Sequence, residues 1–140
     1  MLATFDFDST LTKPVKKELP FGDGAFWEAN PDVPNEKVLD NLRALASDGH
    51  EVHVVTTRER SNCEEVFGFI NEHSLPVRDV HFTGGDDKLP TLQELGSALH
   101  FDDSLEELER LAESDIKGRL VPHPHDKEAH SDKIQKFETV

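Results

Sequence analysis

The sequence predicts an α/β protein built in three layers, with a central parallel sheet of about five strands and helices on both faces. Two observations predict this class. Short apolar runs alternate along the chain with amphipathic stretches at helical spacing, the pattern of repeated β-α-β units. Acidic and hydroxyl residues directly follow several of the apolar runs, at the edge where an open parallel sheet binds ligands.

Five short apolar runs are predicted strands. The first ends in the acidic segment Asp6-Phe7-Asp8. The second is rich in valine, a β-branched residue that favours strands. The predicted strands are Leu2–Phe7, Glu51–Thr56, Val77–Phe82, Ala98–Phe101 and Arg119–Val121.

Four amphipathic stretches between these runs are predicted helices. The first begins at Asn35, carries Val38, Leu39 and Leu42 on one face, and ends before Gly49, which suits the left-handed position after a helix. Each of the other three opens with Ser or Thr followed by Glu three residues later, the pattern of a capping box. These pairs are Ser61 with Glu64, Thr91 with Glu94, and Ser104 with Glu107.

One domain is predicted over residues 1–121, because 140 residues suit one hydrophobic core and leave too little chain for two. Residues 13–34 hold four prolines, which predicts a long loop or flap rather than a helix. Residues 122–140 are predicted to be a polar tail. Its histidines, among them His123 and His125, fit either a metal-binding cluster or a flexible tail, and the tail is favoured because no supporting shell accompanies them.

The composition excludes several classes of function. Asp and Glu number 29 against 15 Lys and Arg, a formal net charge of -14, so general coating of nucleic acid is excluded by repulsion of its phosphates. The single cysteine, Cys63, excludes intramolecular disulfides and Cys-based zinc sites. No apolar run is long enough to cross a membrane and no signal peptide is evident, so we expect a cytoplasmic protein without membrane association. The acidity fits either an ordinary solvated surface or adaptation to high salt.

Polar residues cluster where three predicted strands end, and one lysine lies in a neighbouring loop. Close carboxylates raise one another's pKa unless a divalent cation neutralises them. Hard oxygen ligands without Cys or His favour Mg²⁺, which in turn commonly bridges phosphoryl groups. The residues concerned are Asp6, Asp8, Thr56, Thr57, Lys88, Asp102 and Asp103.

These segments resemble the four motifs of the haloacid dehalogenase (HAD) superfamily, in the family's order. Residues 5–12, Phe-Asp-Phe-Asp-Ser-Thr-Leu-Thr, are similar to the first motif, Asp-x-Asp-x-Thr after a hydrophobic strand. Residues 54–58, Val-Val-Thr-Thr-Arg, are similar to the second, and Lys88 stands where the third places its lysine. Residues 100–104, His-Phe-Asp-Asp-Ser, are similar to the paired-aspartate form of the fourth.

The resemblance implies a Rossmann-like, HAD-like fold and a Mg²⁺-dependent phosphomonoester hydrolase. Asp6 would be the nucleophile, Asp8 the general acid and base, Thr56 a ligand of a phosphoryl oxygen, and Lys88 the group that orients Asp6. The metal would be held by the Asp6 carboxylate, the Asp8 carbonyl and a fourth-motif aspartate. Asp103 is the favoured direct ligand, with Asp102 in support. The remaining predicted substrate-binding residues are Ser9, Thr10, Thr57 and Arg58.

The spacing of the motifs leaves no room for a separate cap domain, so the resemblance implies an open site covered at most by residues 13–34. An open site admits a nucleotide, a polynucleotide end or another phosphorylated small molecule or protein. Assembly as an oligomer is compatible with the sequence. The alternative interpretation is a non-catalytic HAD-like module that binds a phosphorylated partner.

Overall fold

A computed structural model describes residues 1–18, 25–122 and 138–139. Their strands form a six-stranded parallel sheet and a separate two-stranded antiparallel sheet. The six strands are β1 (Leu2–Phe5), β4 (Glu51–Thr56), β5 (Asp79–Phe82), β6 (Leu99–Asp102), β7 (Lys117–Leu120) and β8 (Glu138–Thr139), and the hairpin consists of β2 (Thr12–Glu18) and β3 (Ala25–Pro34). The helices are α1 (Glu36–Ser47), α2 (Cys63–Glu72), α3 (Leu89–Leu95) and α4 (Leu105–Arg110).

The order of the large sheet is β5-β4-β1-β6-β7-β8. The strand that carries the first acidic motif, β1, therefore lies between β4 and β6. Because all strands run in the same direction, the segments that follow β1, β4 and β6 meet at one edge of the sheet. The observed strand order therefore brings the polar residues after these strands to one edge, as predicted.

Two hydrophobic clusters cover opposite faces of the large sheet. Neighbouring residues on a strand point to opposite faces, and Val54 belongs to the cluster beneath α1 and α2 whereas Val55 belongs to the cluster beneath α3 and α4. On the first face the rings of Phe5 and Phe101 stack with centroids 4.3 Å apart, joining β1 to β6. The predicted three-layer arrangement is confirmed.

All five predicted strands are present; Glu51–Thr56 has the predicted bounds, and the ends of the other four differ by at most two residues. A sixth strand, β8, pairs with β7 inside the segment predicted to be a polar tail, so the tail prediction is wrong for residues 138–139. The tail histidines, including His123 and His125, lie outside the described residues.

Residues 13–34 are not helical where the structure describes them, as predicted, but they form a regular hairpin rather than a loop. Residues 12–18 and 25–34 form an antiparallel hairpin. Pro14, Pro31 and Pro34 are tolerated there because each strand of a two-stranded ribbon is an edge, where an N–H need not join a ladder. The prolines correctly argue against a helix, but they are also compatible with a two-stranded ribbon, in which each strand has one pairing partner.

Three of the five predicted helix termini agree with the structure, and the first is Asn35, the N-cap of α1. Gly49 follows α1 with φ +91°, and the Ser104 side chain accepts a hydrogen bond of 3.3 Å from the Glu107 N–H at the start of α4. The capping box at Ser61 is wrong, because a 3₁₀ turn over Arg60–Asn62 already places Ser61 in helical backbone.

The capping box at Thr91 is also wrong. Pro90 lies in the first turn of α3, where its fixed φ and missing N–H favour the start of a helix. The helix therefore begins at Leu89 with Lys88 as its N-cap, and Thr91 lies inside the first turn. Within the described residues, no helix has the length and apolar character needed to cross a membrane.

Candidate active site

The centre of the site is a buried lysine between two carboxylates. Asp6 directly follows β1, and its N–H donates to the Phe101 carbonyl at 2.9 Å, which ties it to β6. Lys88 enters from the start of α3, and its Nζ lies 2.8 Å from Asp6 Oδ1 and 2.7 Å from Asp102 Oδ2. The Lys88 side chain is 2% exposed. Three predicted site residues from distant parts of the chain are thus in direct contact.

A third carboxyl group lies against this pair. The hydroxyl of Thr10 donates to Asp6 Oδ2 at 3.2 Å and lies 3.5 Å from Asp103 Oδ1. Asp6, Asp102 and Asp103 each offer one carboxylate oxygen, and these oxygens all lie within 4.8 Å of one another. Three carboxyl groups therefore surround a space that a single cation could share.

The cluster holds three carboxyl groups and one lysine, so negative charge exceeds positive charge when all are ionised. Burial, together with the charges of Asp6 and Asp102, raises the pKa of Asp103 to about 10. Burial and the Asp102 charge also raise the pKa of Asp6, although Lys88 acts against this. Burial opposes ionisation of Asp102, yet Lys88 and His100 hold the pKa of Asp102 well below its usual range. One lysine thus compensates the cluster only in part, and at neutral pH the cluster requires either a bound proton or a further cation.

Asp102 is fixed by more partners than its motif predicts. Its Oδ1 accepts from the Ser104 N–H at 3.0 Å, and its Oδ2 accepts from Lys88 and from His100 Nε2 at 2.9 Å. His100 Nδ1 lies 2.8 Å from Thr4 Oγ1. His100 and Thr4 were missed as site residues. Strand alternation gives the signal, because each lies two residues before an aspartate and so shares its face of the sheet.

Asp8 contacts Arg58 rather than the central cluster. Arg58 donates to both oxygens of Asp8, from Nε and from Nη2, at 2.8 Å each, and its Nη1 donates to Glu65 at 2.8 Å. Its guanidinium also lies over the Phe7 ring, 5.2 Å from the centroid. The hydrogen bonds to Asp8, ahead of opposing burial, raise the pKa of Arg58 further above its already high value. The predicted substrate ligand Arg58 therefore orients Asp8 in this structure.

The other predicted residues line the same edge. Thr56 is fully buried, and its hydroxyl accepts from the Arg58 N–H at 3.2 Å. Thr57 is exposed, and its carbonyl accepts from the Gly85 N–H at 2.8 Å. Ser9 has φ +61°, a backbone conformation that residues other than glycine rarely adopt, and its N–H donates to Thr12 Oγ1 at 2.9 Å.

A cavity of about 680 Å³ lies at the loop after β5, and none of the predicted site residues is among those that line it. The loop after β5 forms its wall and is tied to the segment after β4, since the Gly84 N–H donates to the Arg58 carbonyl at 3.2 Å. Carboxylates contribute to its lining, so its surface is acidic. The lining residues are Phe82, Thr83, Gly85, Asp86, Asp87, Pro90 and Thr91.

The comparisons with known proteins show the fold. No family model and no curated protein matches the sequence. Among solved structures, the chain is similar to a Vibrio cholerae protein provisionally described as a 3-deoxy-D-manno-octulosonate 8-phosphate phosphatase. The match has a TM-score of 0.55 at 16% identity and covers 99% of this chain and 72% of that one. The likeness confirms the predicted α/β, Rossmann-like fold.

Proposed function

We propose that this protein is a Mg²⁺-dependent phosphomonoester hydrolase that forms an aspartyl-phosphate intermediate on Asp6. The observation that carries the proposal is the contact of Asp6 with Lys88 inside a cluster of three carboxyl groups. A buried carboxylate held by a lysine and a hydroxyl is oriented as a nucleophile, and the uncompensated charge around it suits a divalent cation.

The residues present fit a magnesium ion. All three clustered groups are hard oxygen donors, and because burial and the neighbouring carboxylates raise the pKa of Asp103, a bound cation would stabilise its charged form. Asp102 accepts three hydrogen bonds, two of them at Oδ2, so we give it a supporting role. We assign the direct contacts to the carboxylates of Asp6 and Asp103 and to the Asp8 carbonyl. When bound, Mg²⁺ supplies neutralisation of the negative charge on the transferring phosphoryl group.

The chain's own residues carry the two chemical steps. An Asp6 oxygen forms a bond to phosphorus while the bond from phosphorus to the leaving oxygen breaks, and Asp8 gives that oxygen a proton. Water then attacks the phosphorus of the aspartyl phosphate, loses a proton to Asp8, and displaces Asp6 to release inorganic phosphate. Lys88 stabilises charge on Asp6, and Thr56 donates its hydroxyl hydrogen to a phosphoryl oxygen.

Arg58 sets the position of Asp8 for both steps. Its two parallel bonds define the plane of the Asp8 carboxylate, a geometry that a lysine cannot reproduce. Protonation of Asp8 before the first step costs one of these bonds, transfer of that proton to the leaving oxygen restores it, and the proton taken from water in the second step costs it again.

The substrate we propose is a phosphorylated small molecule, such as a nucleotide. Asp86 and Asp87 lie in the loop before Lys88, and their carboxylates repel an extended polyanion more strongly than a small phosphomonoester, which favours a nucleotide over a polynucleotide end.

Hydrolysis of p-nitrophenyl phosphate by the purified full chain with Mg²⁺ tests the proposal. We expect turnover that stops in EDTA and in Asp6→Asn, whereas Asp115→Asn, an exposed control on the surface, keeps the wild-type rate. Equal turnover in wild type and Asp6→Asn would contradict the assignment of the nucleophile. Absence of turnover over a panel of phosphomonoesters, together with binding of phosphate analogues, would support the non-catalytic alternative.

A further inference from the structure

A buried chain of hydrogen bonds runs from the interior of the sheet into the site. The hydroxyls of Ser97 and Thr4 lie 2.9 Å apart, and Thr4 Oγ1 lies 2.8 Å from His100 Nδ1. His100 Nε2 in turn donates to Asp102 Oδ2 at 2.9 Å. Thr4, His100 and Asp102 are each 0% exposed, so water cannot take over these contacts when a partner is removed.

This series of hydrogen bonds ends at Asp102, which also accepts a hydrogen bond from Lys88. Asp102 Oδ2 accepts from both His100 and Lys88, while Oδ1 accepts from the Ser104 backbone. His100 is held from behind by Thr4, a register partner on the adjacent strand β1, whereas Lys88 has a long flexible side chain. His100 and the Ser104 backbone therefore fix the position of Asp102 Oδ2, and the flexible Lys88 side chain adjusts to that position.

We propose that His100 is a positioning residue that places Lys88 against Asp6 through Asp102, an inference that rests on the function proposed above. Without His100, the Asp102 carboxylate keeps only its backbone partner and Lys88. It can then rotate, and Lys88 can pair with it more closely while giving up the 2.8 Å contact to Asp6. Thr4 serves the same purpose one step further away, because it orients the imidazole ring.

Kinetics of p-nitrophenyl phosphate hydrolysis test the proposal with four variants. His100→Leu is expected to lower kcat by about 10–100-fold, the usual loss when a residue that orients a site carboxylate is removed, with a smaller change in KM. His100→Gln keeps an N–H donor and should recover most of this loss. Thr4→Val keeps the shape of the side chain and should lower kcat in the same direction by less.

The matched control is His53→Leu. His53 is also a buried strand histidine, 7% exposed, and it pairs through its backbone with Thr4, but its ring bonds to Glu51 and His81 and not to Asp102 or Lys88. It should keep the wild-type kcat. The proposal is overturned if His100→Leu keeps the wild-type kcat, if His100→Gln is as slow as His100→Leu, or if His53→Leu is as slow.

Crystal structures of His100→Leu, Thr4→Val and His53→Leu give a readout that needs no turnover. In His100→Leu the Lys88 Nζ is expected to leave Asp6 while it stays bonded to Asp102, and in His53→Leu it should bond to both. If His100→Leu does not fold, Thr4→Val is read in the same way. A Lys88 that still bonds to both aspartates overturns the proposal, whereas a displaced lysine in a chain without phosphatase activity refutes only the proposed function.

Discussion

Replacing Lys88 with methionine removes the cation that two buried carboxylates share. Lys88 Nζ lies 2.8 Å from Asp6 and 2.7 Å from Asp102, and the three side chains are 2%, 8% and 1% exposed. Methionine has a similar length and keeps most of the apolar contact of the lysine stem. The substitution therefore isolates the loss of charge from the loss of packing.

The expected loss of stability follows from the burial of this site. Removing one partner of a buried ion pair costs about 3–5 kcal/mol, because the remaining charge stays in a poorly solvated place. In a chain of 140 residues, each kcal/mol shifts the melting temperature by roughly 3–5 °C. Lys88→Met is therefore expected to melt about 10–20 °C below the wild type.

Thermal unfolding followed by circular dichroism in EDTA measures the shift, with Lys37→Met as the control. Lys37 is an exposed lysine on α1, so its replacement should change the free energy of unfolding by less than about 0.5 kcal/mol.

The pH dependence of the deficit has a defined sign. In Lys88→Met the uncompensated carboxyl groups have a pKa above their unfolded value, so the deficit grows as the pH rises above about 4 and shrinks in acid. Equal melting of the two variants, or a deficit that does not change with pH, would refute the reasoning.

Three further predictions concern the carboxyl groups. Burial and two neighbouring carboxylates raise the pKa of Asp103 to about 10, so metal-free wild type should lose stability as the pH rises from about 4 towards 10. In EDTA, Asp103→Asn should flatten this decline of melting temperature with pH, and with Mg²⁺ it should abolish the rise in melting temperature. An unchanged slope of melting temperature against pH would contradict the assignment to Asp103. Arg58→Lys should lower kcat by about 100-fold through misplacement of Asp8, whereas Glu65→Gln should change it little; similar rates in both variants would argue against the positioning role. Asp8→Asn should lower kcat by about 10²–10⁴-fold on an alkyl phosphate, and by less on p-nitrophenyl phosphate, whose leaving group needs no proton; equal losses would exclude Asp8 as the proton donor.

The strands and the central contact of the site could be predicted from the sequence. Valine-rich runs indicate buried strands, and parallel strands bring the residues that follow them to one edge. Asp6, Asp102 and Lys88 therefore meet as expected, although they are far apart in the chain. The preference for Asp103 over Asp102 as the direct metal ligand comes from the family resemblance and stays a prediction.

Contacts that depend on strand order could not be predicted. Thr4 meets His100 only because β1 and β6 are neighbours in a register that pairs these two residues. Arg58 reaches Asp8 only because β4 lies on the other side of β1. Alternation along a strand places Thr4 and His100 on the faces of Asp6 and Asp102, but it does not say that the two residues contact each other. An arginine in a loop likewise carries no sign of its partner.

The hairpin formed by residues 12–18 and 25–34 could not be predicted for a different reason. Proline density is a reliable sign that a segment does not belong to a helix or a central strand. It does not separate an irregular loop from a two-stranded ribbon, because both leave backbone N–H groups without ladder partners.

Chemical trapping of the intermediate tests the central claim most directly. The full chain is mixed with p-nitrophenyl phosphate and Mg²⁺, quenched in acid during turnover, and reduced with borohydride, which converts an aspartyl phosphate to homoserine. Peptide mass spectrometry should find homoserine at position 6 in the wild type and in Asp115→Asn, and none in Asp6→Asn. An active enzyme that shows no modification of Asp6, or shows it on another residue, would contradict the account.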